Sequence, residues 1–219
     1  FPRLLPVPVD GGAHFAPAGG ASWMVPKILV FAGSIGVGAY SGKTADIAAA
    51  ELAVQGAEVT RISLADYPLP IMDEDLEHEK GIPENAVKLA RLIASHDAIL
   101  ICTAEYNGSI PPLLKNTIDW VSRVHRDGGK PLQPYPGKVA AICSSSDGHF
   151  AGIRSAAHLR AVLAHVGMDV IAPQVSVPHG GEAFAEDGSF REDRLRKGMT
   201  RLCRTLIEHA KAFSTRYES

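Results

Sequence analysis

A chain of 219 residues, 46% hydrophobic and 21% charged, is long enough for one self-sufficient core, and its composition is neither that of a disordered protein nor that of a membrane span. Its 22 basic and 24 acidic side chains leave a formal charge of −2, which is no electrostatic footprint for nucleic acid. It also lacks the strong acidity of a dedicated electron carrier that docks on basic partners.

Residues 1–24 are rich in Pro, Gly and Ala without a period and read as a flexible leader or tag, with Met24 as a natural start. Residues 25–219 then form one domain. Lys27–Ala32 reads as a first strand, Lys43–Gln55 as a helix stopped by Gly56, and Glu58–Leu64 as a second strand. The proline-punctuated run Asp66–Asp73 is irregular and suits a subunit contact. The acidic residues Asp73, Glu74, Asp75, Glu77 and Glu79 read as a solvated loop. Pro83 opens a helix to Ser95. Asp97–Thr103 is apolar almost throughout, as a strand covered on both faces should be. A helix over Pro112–Val124, a strand over Lys138–Ser144, a helix over Ile153–Val166, a strand over Asp169–Val175 and a helix over Arg191–Phe213 complete the chain.

Five strands alternating with helices predict an α/β three-layer sandwich. Its parallel sheet has flavodoxin-like order 2-1-3-4-5, and the loops after strands one and three border one crevice. Cys102 and Cys143 lie in apolar runs, where cysteine acts as a small hydrophobe. Three cysteines without CxxC spacing suit a reduced, cytoplasmic compartment. Nine histidines without HExxH or a Cys/His cluster point to no metal. No apolar run approaches bilayer length, so no membrane span is expected.

The chemistry concentrates in two loops. Phe31–Thr44 carries a strand into a glycine- and serine-rich turn that feeds a helix, the recipe for an anion site: unpartnered N–H groups, a favourable dipole and close backbone approach. Gly42-Lys43-Thr44 ends like a P-loop, but the upstream glycine would have to be at position 37, which is Val37. Gly33, Gly36 and Gly38 are spaced unlike GxGxxG, so a nicotinamide-binding turn is a weak alternative, and an ordinary strand-to-helix turn is the plain one. The second loop, Glu105-Tyr106-Asn107-Gly108-Ser109, offers a tight turn with backbone donors beside one flat wall. A helix-capping turn with Tyr106 and Asn107 merely packed is its plain alternative.

The segment Glu105–Trp120, which reads EYNGSIPPLLKNTIDW, is similar to the PEYNGSxPxxLKNxxDW segment of the NADPH-dependent FMN reductases, a group that includes quinone, azo and chromate reductases. The first loop resembles that family's GSxRxxSxN phosphate loop in part. The resemblance implies non-covalently bound FMN, with NADPH or NADH as reductant and a small-molecule electron acceptor. Ser34, Tyr40, Ser41, Gly42, Lys43 and Thr44 would be at the phosphate, and Glu105, Tyr106, Asn107 and Gly108 at the ring. Ser144 and Ser145 of the hydroxyl-rich run Ser144–His149 would close the far side. It also implies a homodimer or homotetramer, and no catalytic acid, base or nucleophile from the protein. The family arginine falls at Gly36, its serine at Ala39 and its proline at Ala104. Losing a charge-assisted phosphate bond is worth roughly 1.5–3 kcal/mol, so a weaker grip on FMN and less preference for NADPH are expected. The alternative of another class is a flavodoxin-like electron-transfer module without a pyridine-nucleotide step.

Overall fold

The computed structural model describes residues 25–217; the expected leader, 1–24, falls outside them. In chain order the elements are β1 Lys27–Ala32, α1 Tyr40–Val54, β2 Glu58–Ile62, α2 Glu74–Lys80, α3 Glu84–Ala94 and β3 Ala98–Ala104. They continue with α4 Pro112–Ser122, a short ribbon of β4 Arg126–Asp127 and β5 Lys130–Pro131, β6 Val139–Ser145, α5 Ile153–His165, β7 Asp169–Val177 and α6 Asp193–Tyr217. The main sheet runs β2-β1-β3-β6-β7 and is parallel throughout. With the ribbon set aside, this is the flavodoxin-like order 2-1-3-4-5 expected from the sequence.

Strand alternation divides the core into two layers, because successive side chains leave opposite faces of a strand. Ile28, Val30, Leu100, Cys102, Ala141 and Cys143 pack on α1 and α6 through Ala45, Leu52, Leu202 and Leu206. Leu29, Phe31, Ile99, Ile101 and Ile142 pack on α3, α4 and α5 through Leu89, Ile93, Ile118, Trp120 and Leu159. The connection from β1 thus leads to one face and that from β3 to the other, so a crevice opens between them at the carboxyl edge. Trp120, Val121 and Val124, which fitted either the core or a subunit contact, are fully buried in the core.

Two local expectations need correction. The first helix begins at Tyr40, not Lys43, so Tyr40, Ser41 and Gly42 form its first turn. The acidic run is not a loop: Asp73 caps α2 by accepting from the Asp75 amide, and the helix buries no side chain. Its carboxylates complement the positive end of the helix, which is how a segment without an apolar stripe still becomes helical. The ribbon β4–β5 was not among the expected elements; Gly128 and Gly129, with φ of 55° and 81°, make its two-residue turn.

Candidate functional site

At the carboxyl edge the turns after β1, β3 and β6 enclose a cavity of about 330 Å³. Ser34, Ala39, Tyr40 and Ser41 line one end, Ala104, Glu105 and Tyr106 another, and Ser145, Ser146 and Asp147 the third side. The two turns singled out from the sequence, with the hydroxyl-rich run after β6, therefore meet at one place.

The β1 turn delivers the chain into α1 with Ala39 at the N-cap and no side chain capping the helix. The first-turn N–H groups, which have no intrahelical acceptor, therefore lack a capping side chain. Ser34 and Ser41 Oγ lie 2.7 Å apart and close the turn on itself. Tyr40 is held from behind by a fourth segment, Pro178–Phe184, which follows β7. Its ring stacks on Phe184 at 6.4 Å, and a Cβ on Gly180 would collide with it, so only glycine fits there. Gly180 N donates to Ser146 O and Gly181 N to Asp147 Oδ1, tying this segment to the β6 turn.

The β3 turn is a two-residue hairpin. Tyr106 and Ser109 exchange both backbone hydrogen bonds, at 2.9 and 3.0 Å, around Asn107 and Gly108 with φ of 51° and 79°. Two consecutive positive φ values are what Asn-Gly supplies. Tyr106 stands half exposed beside the cavity.

Glu105 has a structural task. Helix α5 starts from Gly152 in the left-handed region, where a Cβ would press on Ser144, so its N-cap has no side chain to offer. Glu105 reaches across instead and accepts from the amides of Arg154 and Ser155, while Arg154 Nη2 pairs with Oε1 at 2.7 Å. Burial pushes the Glu105 carboxyl up, but hydrogen bonds from Arg154 and the Ser155 amide, with the guanidinium charge, outweigh it and hold the pKa below the usual carboxylate value. Ser155 Oγ donates to Ala104 O at 2.7 Å, completing the weld between β3 and α5.

The remaining expected residues divide by geometry. Ser145 is almost fully buried and lines the cavity, and its Oγ has no hydrogen-bond partner among the described residues. Ser144 lies one layer deeper, its hydroxyl bonded to Ala151 O and Ser176 Oγ. Thr44 is buried and donates back to Tyr40 O within α1. Lys43 is exposed, with Nζ 5.4 Å from the Phe184 ring centroid. Gly42 lies in α1, and Asn107 and Gly108 form the turn; none of the three lines the cavity. Ser146 and Asp147 line it from within the hydroxyl-rich run. Gly180, Gly181 and Phe184 had no sequence signal, because only β7's position in the sheet brings them to Tyr40.

Comparison with known proteins fits this geometry. Residues 26–182 match the family model described as NADPH-dependent FMN reductase. The chain is 38% identical to a quinone reductase of Escherichia coli strain K12 over 138 residues, which is 63% of this chain and 69% of that protein. It is 34% identical to an NAD(P)H-dependent FMN reductase of Pseudomonas aeruginosa over 78% of this chain and 88% of that protein. Among solved structures it resembles FerB, a flavoenzyme NAD(P)H:(acceptor) oxidoreductase from Paracoccus denitrificans. That match is 26% identical with a TM-score of 0.71 and covers 86% of this chain and 99% of that one. A family match spanning β1 to the segment behind Tyr40, with relatives at these identities, makes the chain an oxidoreductase belonging to the NADPH-dependent FMN reductase family.

Proposed function

We propose that this chain carries hydride from NADPH or NADH to bound FMN and passes the electrons to a small acceptor: a quinone, free flavin, azo compound or metal oxyanion. The observation that carries the reading is the convergence of an uncapped helix N-terminus, the Ser34–Ser41 pair, Glu105 and Tyr106 at the entry of the β3 turn, and the unpartnered Ser145 hydroxyl on one cavity. A flavin mononucleotide asks for that set: an anion anchor at one end, a polar chain between, and backbone donors at the ring. The buried, unsatisfied Ser145 Oγ is the feature that a bound polar ligand would repair.

When bound, FMN supplies the two-electron chemistry. The chain's residues bind and orient. First-turn amides of α1 with Ser34 and Ser41 hold the phosphate, and Ser145 serves the polar edge. The Tyr106 wall, open to solvent, faces an arriving acceptor. Glu105 keeps the β3 turn against α5 and moves no proton, because its carboxylate is committed to Arg154 and the α5 amides. Gly36 supplies no cation for a phosphate, so NADH and NADPH are expected to reduce the enzyme at similar rates. The name of the E. coli relative favours quinones among the acceptors.

A homodimer or homotetramer in the cytoplasm is part of this proposal. Ile35 and Val37 after β1, Tyr106 after β3, and Phe150 and Ile153 after β6 are exposed at the carboxyl edge of the sheet, where a second copy would cover them. Among the described residues no helix is long and apolar enough to cross a membrane. The decisive experiment is FMN titration of the purified protein, then anaerobic mixing with each nicotinamide. Bleaching of the flavin band supports the reductase reading. A protein that binds FMN but is bleached by neither nicotinamide would be an electron-transfer module instead.

A further inference from the structure

We propose that the acceptor this chain prefers is a quinone bearing an isoprenoid tail, and that the tail lies in an apolar groove between α4 and α5, next to the ring cavity. This rests on the reductase reading above and names the acceptor class for the same site.

The groove has a volume of about 540 Å³. Ile110, Pro112 and Lys115 line one side, at the entry to α4, and His158, Ala161 and Val162 line the other, on α5. It shares a wall with the cavity described above. Tyr106 lines the cavity and Ser109 lines the groove, and these two residues exchange both backbone hydrogen bonds of the β3 turn. A single four-residue hairpin therefore stands between the two spaces. Ser109 Oγ and His158 Nδ1, 3.0 Å apart, pin that hairpin to α5.

The lining selects the occupant. Its two ionisable side chains are engaged within the chain: Lys115 Nζ donates to both Asp119 carboxylate oxygens at 2.8 Å, and His158 meets Ser109. What is left for an occupant is the apolar surface of Ile110, Pro112, Ala161 and Val162. A charged or strongly polar acceptor gives up water there and finds no partner, whereas a hydrocarbon chain gains by leaving water. A quinone ring arriving at the half-exposed Tyr106 has such a chain to place. The strands of a hairpin lie about 4.7–4.9 Å apart, and a geranyl tail spans that distance with length to spare.

The test compares menadione with the same naphthoquinone ring bearing a geranyl tail. Both are assayed as acceptors with the FMN-loaded whole chain, and their binding is measured by equilibrium dialysis, which needs no turnover. The native protein is expected to bind the geranyl quinone at least about tenfold more tightly than menadione, since each buried methylene adds a factor of about four, and the difference should appear in KM. Ala161→Asp puts a charge into the groove, and Pro112→Asp puts one in from the opposite side, in the first turn of α4 where an acid is tolerated. Both positions are exposed and neither lines the ring cavity. Each variant should weaken the geranyl quinone about tenfold or more and leave menadione unchanged. Equal binding of the two quinones by the native protein overturns the proposal, as does a preference that survives both variants or a loss shared by both quinones. Dissociation of a native oligomer by Ala161→Asp in sedimentation assigns the groove to a second copy of the chain and also overturns it. If the geranyl quinone binds with the expected preference but is not reduced, the groove is supported and the reductase reading falls.

Discussion

Ser145 carries a hydroxyl that the folded chain encloses and does not satisfy. An unmet buried donor costs about 1–3 kcal/mol. Ser145→Ala should therefore stabilise the flavin-free protein, by ~1 kcal/mol in urea unfolding, while weakening FMN binding several-fold in titration. Effects of opposite sign from one substitution separate a ligand contact from a packing role. Glu105 predicts a pH dependence. Its pKa is lowered by folding, so its contribution to stability is complete above the unfolded value and is lost as pH falls through the folded one. Urea unfolding between about pH 6 and pH 3 should show the native protein losing stability more steeply than Glu105→Gln. The anion turn and the Asn-Gly turn were legible from residues alone, because glycine and serine between a strand and a helix, and Asn-Gly in a loop, have local causes. Which groups Glu105 pairs with was not, since its partners lie 49 and 50 residues away.

At the level of elements, α4 explains why a motif that looks like a binding signature contains Asn and Trp. Asn116 Oδ1 accepts from Met72 N, and its Nδ2 donates to Pro70 O, both at 2.8 Å; Trp120 Nε1 donates to the same carbonyl. The two side chains clasp the proline-punctuated run after β2 and hold it against the helix. Asn116→Leu strands the Met72 amide and should cost about 2–3 kcal/mol, with faster proteolysis between Tyr67 and Asp73 in a limited-digestion assay. Boundaries drawn from the sequence failed where an end is set by something other than an apolar stripe. α1 starts three residues early because Ala39, which is no capping residue, precedes it. α2 exists through the Asp73 cap and charge complementarity, with every buried position missing.

For the whole molecule, the three thiols report on the core. Cys102 and Cys143 are paired neighbours on β3 and β6, and Cys203 faces them from α6; all are free and fully buried. A hydrogen bond with Cys102, together with burial, raises the Cys143 thiol well above its usual range, and burial raises Cys203. Protonated and enclosed, they should give no fast reaction with a thiol reagent in the native protein and label only at the rate of global opening. A thiol that reacts at once would contradict this core.

What the amino-acid order determined by itself was the succession of strands and helices, the parallel sheet they imply and the two turns at its carboxyl edge. Apolar periodicity and turn chemistry act over a few residues, so they can be read along the chain. Tertiary structure alone decided which side chains close the cavity: Glu105 tied to α5, Gly180 beneath Tyr40, and Asp147 beside Gly181. Those contacts join residues that are neighbours only after the sheet has formed, and a linear pattern carries no term for that distance.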